Sequence, residues 1–132
     1  MFQRMLEGMF QSANYEATKA YLDVGAERHK VLTSNLANAE TPGYKRFELD
    51  SNFIDNLRAE LNEGHVRPFK ISEISFTEDK DSNLNSDLTG NNVSSERELM
   101  LINENALRYE ALGQFASSSL RQLRTAITGR NS

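Results

Sequence analysis

Two histidines, His29 and His65, and nineteen carboxylates are the side chains of this 132-residue chain best suited to moving protons or holding metals. Neither histidine has a second ligand three or four residues away, the spacing a helical metal site needs. The chain has no cysteine, so thiolate nucleophiles, zinc-thiolate sites and disulfides are all excluded. Glu78, Asp79 and Asp81 form its densest acidic group, but they lie in a polar run from Thr77 to Thr89. A catalytic carboxylate requires burial or a close partner to shift its pKa, so this run reads as a solvated loop rather than an acid–base pair. Ser117, Ser118 and Ser119 lack the Gly-x-Ser-x-Gly elbow and read as small residues that let helices approach. The seven glycines, at 8, 25, 43, 64, 90, 113 and 129, are too scattered to cradle a phosphate. The expectation is a protein without enzymatic activity, cofactor or metal.

Charge and length narrow the field further. A formal net charge of −4 offers no field to attract nucleic acid or anionic lipid. No apolar run approaches the ~18 residues of a membrane span, and Met1 to Phe10 lacks the apolar core of a secretory signal, so no cleaved leader is expected. The charge falls unevenly: residues 1–44 carry −1, residues 45–89 carry −4 and residues 90–132 carry +1. These three segments form the expected organisation, two helical ends around an acidic middle.

From about Gln3 to Ala39 there is no proline, and Leu6, Phe10, Ala13, Ala17, Ala20, Val24 and Val31 recur at steps of three, four or seven. That pattern predicts one long helix with a heptad-like stripe. The C-terminal third repeats it with Leu99, Ile102, Ala106, Tyr109, Gly113, Ala116, Leu120, Leu123 and Ile127. Ser95 and Glu98 fit a capping box at the start of this second helix, and Gly129 supplies its stop. Between the two, Phe53, Ile54, Leu57 and Leu61 mark a short helix, and Phe69 to Phe76 reads as extended with a slip in phase near Ser72.

At 1.5 Å per residue the terminal helices would be about 55 and 50 Å long, whereas a compact chain of this size is only about 36 Å across. The fold class expected is therefore mainly α and elongated, with two long terminal helices packed antiparallel and a short helix and a small extended element between them. One shared seam leaves Met9, Tyr21, Leu32 and Leu36 on the first helix and Leu101, Leu112 and Phe115 on the second partly uncovered, which predicts that assembly with other chains completes their burial.

The end of the first helix is the most specific stretch: Asn35-Leu36-Ala37-Asn38-Ala39-Glu40-Thr41-Pro42-Gly43-Tyr44. Pro42 pushes Thr41 out of helical dihedrals, so the helix stops at or before Glu40. Pro42 and Gly43 suit the central positions of a type II turn, after which Tyr44 folds back toward the helix end. Asn35 and Asn38 share a face and can bond to neighbouring backbone or to a partner helix.

This segment resembles the Asn-x-Ala-Asn-x-x-Thr-Pro-Gly-Tyr signature of the bacterial flagellar rod and hook axial proteins. The stretch Gly90-Asn91-Asn92-Val93, with Glu96, Glu98, Asn105 to Tyr109 and Leu112, is similar to the C-terminal half of the proximal rod members of that family. The resemblance covers about the first 45 and last 43 residues. It implies a structural subunit of the basal-body rod, in the periplasm, exported through the flagellar type III apparatus. The implied partners are other copies of the chain, other rod proteins, the membrane ring and the export gate. Leu99, Ile102, Tyr109, Leu120 and Leu123 are expected to carry the seam, with Asn35, Asn38, Thr41, Pro42, Gly43, Tyr44, Asn91 and Asn92 shaping the helix end. A helical adaptor or secretion chaperone is the alternative reading, and a small hydrolase using the acidic middle is a weaker one.

Overall fold

The computed structural model describes residues 2–63 and 70–129, with the backbone alone described for residues 2–14, 84, 85, 119 and 123. Two long helices dominate: α1 over Phe2–Ala37 and α3 over Ser95–Thr128, with α2 over Ser51–Asn62 between them. At 1.5 Å per residue α1 and α3 each span roughly 50 Å. They run antiparallel, since Asn105 of α3 meets Gly25 of α1 while Asn91, just ahead of α3, meets Asn38 just beyond α1.

The middle segment folds back on α1. Strands β1 (Phe47–Leu49) and β2 (Phe76–Glu78) pair antiparallel in the register Phe47–Glu78, Glu48–Thr77 and Leu49–Phe76. Backbone bonds from Asp79 N to Arg46 O and from Asp50 N to Ser75 O, each 2.9 Å, extend the ladder at both ends. Asp50 then caps α2, its carboxylate accepting from Asn52 N, and α2 turns Leu57 inward. The small core is Ala20, Val24, Leu57 and Ile74, with Leu49, Phe53, Leu61 and Phe76 packed on it. Leu32 of α1 is also fully buried within the chain, contrary to the expectation that a neighbour must cover it.

Several sequence expectations shift by a residue or more. The start of α3 is capped by Ser94, whose hydroxyl accepts from Arg97 N at 3.4 Å, rather than by Ser95, and Glu98 is no capping partner. Within 69–76, Ile71–Glu73 form a 3-10 turn where the phase slips and the strand starts only at Phe76; Phe69 lies outside the described residues. The polar run from Thr77 to Thr89 is not a plain solvated loop. It completes β2, continues as a 3-10 segment over Lys80–Asn85 and buries Ser82. Gly129 ends α3 with φ 64°, in the left-handed region expected of a C-terminal glycine.

Candidate assembly interface

The junction where α1 ends is built from side-chain amides that replace missing helix partners. The last carbonyls of a helix have no amide ahead of them and need donors from elsewhere. Asn91 supplies one: its Nδ2 donates to the carbonyls of Asn38 (2.9 Å), Ala39 (3.0 Å) and Thr41 (2.8 Å), and its Oδ1 accepts from Val93 N. The turn Thr41–Tyr44 closes through Tyr44 N to Thr41 O at 3.2 Å, with Gly43 at φ 74°, as a type II turn requires of its third residue. Thr41 Oγ1 donates to Asn38 Oδ1, while Asn38 Nδ2 donates back to Ser34 O. Pro42 sits exposed at the first central position of the turn.

Asn35 is fully buried and works as a surrogate strand. Its Nδ2 donates to Phe47 O (2.8 Å) and its Oδ1 accepts from Phe47 N (3.0 Å), pairing both polar groups of one β1 residue. The same oxygen accepts from Tyr44 Oη at 3.1 Å, so Tyr44 does fold back to the helix end. Asn92 plays the matching part on the other side, accepting from Arg46 N at 2.7 Å and donating to Asp79 O and Asn83 Oδ1. Four asparagines thus tie α1, β1, the 3-10 segment and the approach to α3 into one unit.

Beneath this unit lies an ion-pair cluster that sequence reading did not find. Arg46 is 2% exposed; its Nε meets Glu98 Oε1 at 2.5 Å, its Nη1 pairs with Asp79 and its Nη2 meets Glu48 at 3.2 Å. Arg28 from α1 clasps Glu48 with two bonds of 2.8 and 3.1 Å. Burial by itself would lower the Arg46 pKa, but the bonds and charge of Glu98, helped by Asp79 and Glu48, outweigh it and hold the guanidinium protonated above its ordinary range. Burial would likewise raise Glu48; Arg28, the Leu49 amide and Arg46 overcome it and keep that carboxyl lowered. Asp79 is lowered against its own burial by Ser82 and Arg46. Among the described residues no group of His, Cys, Asp or Glu converges as a metal site would require. These carboxylates are matched to arginines, which suits them to holding elements together rather than to acid–base work.

The helix pair itself is joined along an unexpected line. The inward face of α3 passes through Glu98, Ile102, Asn105, Leu112 and Ala116, with Glu98, Asn105 and Ala116 buried. Asn105 Nδ2 donates to Gly25 O at 2.9 Å, and Tyr109 lies so close that a Cβ at Gly25 would come within 3.3 Å of its ring. Of the residues expected to carry the seam, only Ile102 is largely covered within the chain. Leu99, Tyr109 and Leu120 are about half exposed, and the side chain of Leu123 lies outside the description. The buried line shares Ile102 and Ala116 with the expected stripe and departs from it where two polar residues, Glu98 and Asn105, turn inward to Arg46 and the Gly25 carbonyl in place of Leu99 and Ala106.

Part of the stripe, at Leu99, Leu120 and Ile127, therefore faces outward. With Met100, Leu107 (68% exposed), Phe115 and Ile127 (78% exposed), it leaves α3 flanked by large apolar side chains along most of its length. Scattered apolar residues are ordinary on a surface, but a run sustained over the greater part of a helix marks an interaction face.

Known proteins resemble this chain over most of its length. The model of the family described as flagella basal body rod protein matches residues 26–45, the last turns of α1 and the turn that follows. The chain is 42% identical over 115 residues to the flagellar basal body rod protein FlgB of Aquifex aeolicus (strain VF5), covering 85% of this chain and 90% of that one. It is 30% identical over 108 residues to FlgB of Bacillus subtilis (strain 168), covering 77% and 83%, and 26% identical over 125 residues to FlgB of Buchnera aphidicola, covering 82% and 89%. Likeness over most of its length, at 42% and 30% identity to two FlgB proteins, places this chain in the FlgB family of flagellar basal body rod proteins.

Proposed function

We propose that this protein is a structural subunit of the flagellar basal-body rod that acts by helical packing, with no catalytic step. The observation that carries this reading is the apolar stripe of α3, which the chain's own middle segment leaves uncovered. Burying such a stripe contributes about 25 cal/mol per Å² of apolar area, a driving force that only a neighbouring chain can supply here. Residues 1–44 and 90–132 form the assembling ends, and residues 45–89 brace them from one side. Leu99, Ile102, Tyr109, Leu120 and Leu123 contact neighbours, while Asn35, Asn38, Thr41, Pro42, Gly43, Tyr44, Asn91 and Asn92 set the angle at which the chain leaves α1.

The partners are other copies of the chain and other rod proteins, with the membrane ring and the export gate at the proximal end. The rod lies in the periplasm, and the chain reaches it through the flagellar type III apparatus without a cleaved signal peptide. Among the described residues no helix is long and apolar enough to cross a membrane.

Helix content measured by circular dichroism over a wide concentration range tests this. Long helices with uncovered apolar faces gain order on association, so helicity should rise with concentration. A helix content independent of concentration, with a monodisperse monomer throughout, would overturn it.

A further inference from the structure

The most exposed large apolar side chain among the described residues lies on a turn, outside α1, α2 and α3. Leu88 is 107% exposed, at the tip of a turn that is nonetheless tightly built. Asp87 Oδ1 accepts from Thr89 N (2.8 Å), Thr89 Oγ1 (2.5 Å) and Asn91 N (3.0 Å). Gly90 N donates to Asp87 O, Gly90 takes φ 84°, and Asp87 N donates to Asn91 O at 2.8 Å. Asn91 then anchors the turn to the end of α1, so the leucine is held out on a fixed mount. An apolar group ordered into water has no stabilising role within its own chain.

Elsewhere on the same molecule is a cleft of about 410 Å³ between α1, α2 and α3, with an apolar floor that includes Val24, Leu57 and Tyr109. Its lining carries three arginines, Arg28, Arg58 and Arg108, against a single acid, Glu48. Arg28 is committed to Glu48 and Arg108 to Glu104, while Arg58 lies exposed on the rim. The surface around Leu88 has the opposite sign, with exposed Glu78, Asp81 and Asp87 against Lys80 and Lys45, Asp79 being committed to Arg46. Knob and cleft are complementary in both polarity and charge.

We infer that Leu88 of one copy seats in the Val24–Leu57–Tyr109 cleft of the next copy, with the acidic turn facing the arginine rim. The two surfaces differ, so the contact is head-to-tail and leaves a free knob and a free cleft after every addition. Such a heterologous contact propagates into a helical array instead of closing as a dimer. The inference rests on the rod-subunit reading and adds to it a second contact, which shares only Tyr109 with the α3 stripe.

The chain has no native cysteine, which makes cross-linking clean. Two forms of the full-length chain, one with Leu88→Cys and one with Arg58→Cys, are co-expressed in the parent bacterium, and basal bodies are isolated and oxidised. Both positions are exposed, so neither change removes a packed group. The expected result is a disulfide-linked dimer of the two forms, absent when either form is expressed alone and lost when Leu88→Cys is paired with a cysteine at exposed Gln114 on α3. Basal bodies that contain both chains but give no mixed dimer would overturn this contact while leaving the rod reading intact. Linkage of Leu88→Cys to a cysteine of some other rod protein, in place of Arg58→Cys, would also overturn it. Absence of the chain from basal bodies altogether would overturn both.

Discussion

The guanidinium of Arg46 and the carboxylate of Glu98, 52 residues apart in sequence, meet at 2.5 Å with both side chains withdrawn from solvent. This pair joins the start of β1 to the first turn of α3, so the middle segment cannot separate from the C-terminal helix without exposing or orphaning a charge. Glu98 Oε2 is buried with no hydrogen-bond partner, which leaves Arg46 as the group that compensates its charge. Breaking one side of a buried pair costs more than the pair itself contributes, because the remaining ion stays out of water.

Arg46→Met should therefore destabilise the chain by about 3 to 5 kcal/mol, since it strands Glu98, Asp79 and part of Glu48 together. Glu98→Gln keeps the shape and leaves Arg46 with Asp79 and Glu48, so its cost should be the smaller of the two. Urea unfolding of both variants under the same conditions checks the order; equal losses would mean that Glu98 alone carries the cluster.

Removing the amide that satisfies the end of α1 should also be costly. Asn91→Ala withdraws the donor shared by three carbonyls and should lose about 1 to 3 kcal/mol. Tyr44→Phe removes only the bond to Asn35 Oδ1, which retains Phe47 N, and should lose about 1 kcal/mol or less. Hydrogen exchange at the amides of residues 38–44 would show fraying in the first variant and little change in the second.

Stability should fall in acid. Glu48 and Asp79 have folded-state pKa values below their ordinary ones, so the unfolded chain takes up protons first as the pH drops. Their contribution is fully present above about pH 5, and it is lost as the pH falls below about 4 toward the folded-state values. Thermal unfolding followed from pH 7 to pH 3 should show this loss. In Arg46→Met the slope should be shallower, because Asp79 no longer has the guanidinium that lowers it.

Tyr109→Ala separates folding from assembly. The ring touches α1 at Gly25 but remains 45% exposed, so the isolated chain should lose only about 1 kcal/mol. If a neighbour covers the rest of the ring, association should weaken by more than this. Sedimentation across a concentration series, set beside thermal unfolding of the dilute chain, measures the two losses separately.

Gly43→Ala tests the turn. At φ 74° an added Cβ costs about 1 kcal/mol in backbone strain, although nothing crowds it closer than Thr89 O at 3.9 Å. The loss should appear as a lower melting temperature without a change in helix content.

The long helices, a stop of α1 before Glu40, the Pro42–Gly43 turn and the return of Tyr44 were all legible in the sequence, because each depends on contacts within a few residues. Helical periodicity, the absence of proline and the dihedral demands of proline and glycine act locally and need no knowledge of the rest of the chain. The phase of α3 was not legible. Apolar spacing passes over Glu98 and Asn105 and settles on their neighbours Leu99 and Ala106, which the folded chain turns outward. Whether a glutamate or an asparagine belongs inside depends on a partner far away in sequence, Arg46 for one and the Gly25 carbonyl for the other. The same holds for Asp79, which reads as a solvated acid until the β1–β2 pairing brings it beside Arg46. Short-range sterics and periodicity wrote the elements into the sequence; burial of charge, which is tolerable only when a distant counter-ion arrives, was decided by the tertiary fold.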